Sequence, residues 1–178
     1  LKAALPYSLT EAQTRVVREI LRDQKSLFPM NRLVQGDVGS GKTVVALIAI
    51  FNVVKCGYQA TLMVPTEILA SQHYEEAKKL LGPFGIHIEL LTGSTSAKEK
   101  RRIKEIITTE TPMVVIGTHA LIQEDVDFKN LGLVVTDEQH RFGVEQRNRL
   151  INKGRRPDVL VMTATPIPRT LALYVYSD

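Results

Sequence analysis

The chain has 178 residues, of which 44% are hydrophobic and 24% charged, a balance that fits a soluble globular domain and excludes disordered or collagen-like chains. At this length a fold buries roughly 70% of its unfolded surface, so it needs neither disulfides nor structural metal to hold a core. The net charge of +4, from 23 basic and 19 acidic residues, permits a polyanionic partner without demanding one.

In chain order, Thr10 caps a predicted helix over 11–21, and a first strand is expected at 32–35. A glycine-rich loop then leads through Ser40 into a helix running from Lys42 to about Val54. Its apolar stretch is broken by Asn52 and falls short of the ~20 residues a membrane span needs. The single Cys56 has apolar neighbours and reads as a small core hydrophobe in a reducing compartment. A strand at 60–64 follows, then a helix over 67–81 that starts after Thr66 and is stopped by Gly82 and Pro83. A strand at 87–91 precedes the charged run 98–104, which with Ile103, Ile106 and Ile107 has the pattern of a solvated helix face. Further strands are expected at 113–116, 131–136 and 159–162, with flexible segments at 109–111 and 152–157. The strands are almost continuously apolar, which requires helices on both faces and so predicts an α/β three-layer fold with a mainly parallel sheet. Lys2 is followed by Pro6, Ser8, Thr10 and Glu11 rather than an apolar export signal, so the cytoplasm is the expected compartment.

Two motifs carry chemistry. Gly36-Asp37-Val38-Gly39-Ser40-Gly41-Lys42-Thr43 has the spacing of a P-loop between a strand and a helix. Its glycines let backbone N–H groups close around a phosphate, and the helix that follows points its positive end at the same anion. Lys42 is expected to reach the β and γ phosphates of ATP, and the Thr43 hydroxyl to ligate Mg²⁺. Typical residue frequencies produce this pattern by accident in only about 0.6% of chains this long. The second motif is the pair Asp137-Glu138, delivered at the end of the apolar strand 131–136, where parallel-sheet sites assemble. Asp137 suits the metal, and Glu138 suits the proton of the attacking water. No guanine-reading N-K-x-D is present, since Asn152-Lys153 runs into Gly154-Arg155, so ATP is expected rather than GTP. His140 alone is evenly balanced between a core histidine and a functional one.

The box Asp137-Glu138-Gln139-His140, with its tail Arg141-Phe142-Gly143-Val144, resembles motif II of the superfamily 2 DNA translocases, and within them the branch-migration helicases. The resemblance covers nearly the whole chain and implies a RecA-like P-loop NTPase domain spanning 1–178, one piece of a larger ATP-dependent helicase that remodels branched DNA and stalled forks. It adds His140 to Lys42, Asp137 and Glu138 as catalytic candidates. Ser8-Leu9-Thr10-Glu11-Ala12-Gln13 resembles the adenine-reading Q motif, which implies Gln13 at the base. Pro65 and Thr66 in motif Ia, and Gly117, Thr118 and His119 in motif Ib, are implied to contact DNA, while Thr163 and Thr165 in motif III are implied to couple nucleotide state to DNA grip. The resemblance further implies partners outside this segment: a second RecA-like domain supplying arginines, and a wedge domain that reads branched DNA. A transcription-repair coupling translocase and a nucleotide-gated interaction module without motor activity are the alternative readings.

Overall fold

The computed structural model describes residues 11–24, 31–35, 42–123, 125–137 and 157–163. Six strands make one sheet: β1 (Asn31–Gln35), β2 (Gln59–Met63), β3 (Ile88–Leu91), β4 (Met113–Gly117), β5 (Leu131–Asp137) and β6 (Asp158–Thr163). Their spatial order is β1-β6-β5-β2-β4-β3, and every described pairing is parallel. Parallel neighbours need crossover connections, and helices α1 (Glu11–Gln24), α2 (Lys42–Lys55), α3 (Glu67–Leu81) and α4 (Ala97–Ile107) lie along the chain between or before the strands. All six strands therefore end at the same edge of the molecule.

The apolar strands are buried on both faces, as their composition requires. Ala60, Leu62, Val114, Ile116, Leu133 and Val135 pack with α1, α2 and α3 on one face. Met63, Leu91, Val115 and Val134 pack with Ile103 and Ile107 of α4 on the other. Helix α2 is apolar nearly all round because it is the innermost helix, with Val45, Leu47, Ile50 and Val53 buried. The Asn52 that interrupts its apolar run donates to Gln24 Oε1 at 2.7 Å, and Gln24 Nε2 donates to the Ala49 carbonyl at 3.3 Å, so two amides stitch α1 to α2. Thr66 caps α3 by accepting the Leu69 N–H, and Ser96 caps α4 by accepting the Glu99 N–H.

Two expectations are corrected. Cys56 is exposed: α2 ends at Lys55, and the chain reverses through Gly57 at φ +97° before β2, so the thiol sits on a turn and not in the core. The segment 109–111 is tied down rather than loose. The fully buried Gln59 donates through Nε2 to the carbonyls of Ile107, Thr109 and Thr111 at 3.1–3.3 Å, while its Oε1 accepts the Asn130 N–H. As expected, α3 stops at Leu81, before Gly82 and Pro83. These two tighten the chain into a further 3₁₀ turn, Gly82–Phe84, which ends at Gly85 with φ +75°.

Candidate active site

The C-terminal ends of the strands gather the residues singled out from the sequence. Gln35 closes β1, and α2, the next described element along the chain, opens at Lys42. β6 lies between β1 and β5, in register such that Gln35 pairs with Thr163 and Asp137 with Met162. Strands in a sheet are spaced about 4.8 Å apart, so the tips of β1 and β5 stand about 10 Å from each other. Lys42 and Asp137 thus belong to the same end of the sheet, with Thr163 between them at the tip of β6. Thr43, in the first turn of α2, is half-buried. Gln13 lies in the first turn of α1, also half-buried, in the helix that packs on α2. The expected site residues Gly36, Asp37, Val38, Gly39, Ser40, Gly41, Glu138, His140 and Thr165 lie outside the described residues.

Asp137 is the last residue of β5 and is only 7% exposed. Facing it is His73 of α3, whose Nε2 stands 3.9 Å from Asp137 Oδ2, while its Nδ1 stands 3.7 Å from Glu76 Oε2. These are ion-pair separations, too long for hydrogen bonds, and neither ring nitrogen has a hydrogen-bond partner. Burial works against charge on the ring, but the two carboxylates outweigh it and push the His73 pKa up to about 9. His73 was not singled out from the sequence. The signal was available: Ala70, His73, Ala77 and Leu81 form the buried stripe of α3 at helical spacing, and the histidine is its one polar member.

Further along the same edge, the ends of β2, β4 and β3 bring together segments 64–67, 117–119 and 92–95. Thr66 Oγ1 is occupied as the α3 cap, although a hydroxyl that accepts can still donate. Glu67 spans to the neighbouring loop, accepting the Ser94 N–H at 2.9 Å and the Ser94 hydroxyl at 3.0 Å. This tie is a second feature that sequence reading missed. Gly117 is pressed against β3: a Cβ built there would lie 2.0 Å from the Leu91 carbonyl oxygen. Thr118 is buried and gives its N–H to Leu91 O at 3.4 Å, whereas His119 is exposed. Pro65 is half-buried beside the cap.

A divalent metal fits this donor set in one particular way. Among the described residues no group of three or more His, Cys, Asp or Glu side chains is placed to hold a metal ion. One buried carboxylate and one threonine hydroxyl instead match Mg²⁺, which keeps several waters and is held through one or two protein groups plus substrate phosphates.

Comparison with known proteins agrees with this geometry. Over 175 residues the chain is 58% identical to the ATP-dependent DNA helicase RecG of Thermotoga maritima and 55% identical to that of Bacillus subtilis, in each case over 98% of the chain. It spans only 22% and 26% of those relatives. The solved structure of RecG bound to a three-way DNA junction matches 94% of the chain at 55% identity with a TM-score of 0.83, the chain covering 22% of it. The UvsW helicase of bacteriophage T4, at 16% identity, matches 89% of the chain with a TM-score of 0.68, covering 53% of that protein, and so shares the fold. These neighbours make the fold RecA-like α/β, as the motifs implied. The family model described as DEAD/DEAH box helicase matches residues 10–173, and with its P-loop helix and acidic strand tip at one end of a parallel sheet the chain belongs to that family.

Proposed function

We propose that the chain is the ATP-binding motor domain of a RecG-like DNA helicase that remodels branched DNA. The observation that carries the reading is the shared position of the P-loop helix and of Asp137 at the C-terminal edge of the sheet, with one strand between them. In this reading the backbone of 36–41 and Lys42 hold the β and γ phosphates, while Thr43 and Asp137 hold Mg²⁺. Bound there, the metal would screen charge developing on the phosphates. Glu138 takes the proton of the attacking water, with His140 beside it in the box. Gln13 reads the adenine. Pro65, Thr66, Gly117, Thr118 and His119 line the DNA-facing edge, and Thr163 and Thr165 link the two functions. Identity of 55–58% to relatives named RecG favours this reading over a transcription-repair coupling factor or a non-motor module.

The experiment is a pair of substitutions. Lys42→Ala should abolish the thermal stabilisation by Mg-ATP, which mass action sets at about 2.7 kcal/mol when ligand stands a hundredfold above its dissociation constant. An unchanged melting shift would remove Lys42 from the phosphate site. Glu138→Gln in the full-length protein should keep nucleotide binding and stop turnover, and normal hydrolysis would take Glu138 out of the role of base.

A further inference from the structure

A histidine in the buried stripe of a helix is a poor choice for packing. Its three partners in α3 are Ala70, Ala77 and Leu81, and an apolar side chain at 73 would fill the same space without burying two polar nitrogens. Buried polar atoms without hydrogen bonds are uncommon enough to need a reason. His73 has two such atoms, Nδ1 and Nε2. The reason lies in where they face: one nitrogen toward Glu76, the other toward Asp137, at 3.7 and 3.9 Å. Filling space does not require a carboxylate opposite each ring nitrogen. An imidazole bracketed in this way has a fixed orientation, and it acts on whatever carboxylate it faces.

We propose that His73 is a positioning residue for Asp137, setting the orientation in which that carboxylate meets the metal ion. The inference rests on the reading of Asp137 as the metal carboxylate. Groups that orient a metal ligand without touching the metal commonly change metal affinity or activity 10–100-fold when removed. The placement also joins two parts of the site. Helix α3 begins immediately after Pro65 and Thr66, its first residue Glu67 holds the 92–95 loop, and two turns later the same helix reaches the tip of β5 through His73.

The test measures the Mg²⁺ concentration that gives half-maximal binding of a fluorescent ATP analogue to the full-length protein, alongside binding in chelator and urea unfolding without nucleotide. His73→Leu should raise that Mg²⁺ midpoint about tenfold or more while leaving metal-free nucleotide binding and unfolding close to wild type. Glu76→Gln, which removes one of the two carboxylates that bracket the ring, should shift the midpoint in the same direction by less. A His73→Leu protein with the wild-type midpoint overturns the proposal. If that variant does not fold, His73→Met, flexible and of similar volume, is held to the same criterion. A wild-type protein whose nucleotide binding ignores Mg²⁺ fails differently: it removes Asp137 from the metal site, and the role of His73 goes with it.

Discussion

At the scale of single residues, the edge of the sheet mixes positions fixed by packing with positions left open for ligands, and the two are separable. Gly117 belongs to the first kind. Its built Cβ would lie 2.0 Å from the Leu91 carbonyl oxygen and 3.1 Å from Leu121 Cγ. A backbone oxygen paired in the sheet cannot retreat as a side chain can. Gly117→Ala should therefore destabilise the fold by about 1–3 kcal/mol, toward the upper end of that range, by urea unfolding. A loss below about 0.5 kcal/mol would mean that crowding at Gly117 is relieved by movement of β3. The result bears on function, since a glycine required by the Leu91 contact would be kept whether or not DNA approaches it. Thr118 is constrained in the same way, its N–H already given to Leu91. The exposed His119 is the member of this trio whose side chain is presented to solvent.

At the scale of elements, β3 is an edge strand held to α4 by charge as well as by apolar contact. Arg102 of α4 reaches Glu89 of β3 with two parallel bonds of 2.7 and 2.8 Å, and it also bonds Glu99 at 2.6 Å. His87 Nε2 lies 2.6 Å from Glu89 Oε2 on the other side. Burial of Glu89 opposes its charge, but Arg102 and His87 outweigh it and hold its pKa below the ordinary 4.5. A carboxylate whose folded pKa is depressed contributes stability that is complete above its unfolded value and is lost as pH falls through the folded one. The urea midpoint should accordingly fall as pH drops from about 4.5 downward, and Glu89→Gln should flatten that limb. An equally steep limb in the variant would assign the acid sensitivity to other carboxylates. None of this was legible in the sequence, because a strand residue and a helix residue thirteen positions apart meet only in the folded chain. The strands themselves were legible to within one or two residues, since two-sided burial makes each a short apolar run between turn residues. So was the face of α4, where Ile103 and Ile107 point inward among charged neighbours. Cys56 was misread because apolar neighbours in sequence belonged to the end of α2, and the turn at Gly57 carried the thiol outward. His73 was missed because histidine in an otherwise charged stretch looks solvated until the stripe Ala70, Ala77 and Leu81 is laid out around it.

At the scale of the whole molecule, the sheet order decides what this segment can do by itself. With β1, β6 and β5 side by side, the strand ends at Gln35, Thr163 and Asp137 are neighbours in space, although β1 lies far from the other two along the chain. In the proposed reading nucleotide contact is thereby tied to the integrity of the entire sheet, and binding should report on folding of the whole unit. Binding is a lesser requirement than turnover. As the bond between the γ-phosphorus and the departing ADP breaks, charge develops on the transferred phosphoryl group, which P-loop enzymes offset with an arginine supplied from elsewhere, worth about 10³–10⁵ in rate. The chain corresponds to 22–26% of the RecG relatives it matches, and in the proposed reading those arginines come from a second RecA-like domain. The 178-residue chain should therefore bind Mg-ATP but turn it over at least about a thousandfold more slowly than the full-length protein. Single-turnover hydrolysis measured on both, with nucleotide binding measured in parallel, checks this. Comparable rates per bound nucleotide would mean that the strand tips assembled here already stabilise the transition state, and the reading of this domain as half of a two-domain motor would have to be abandoned.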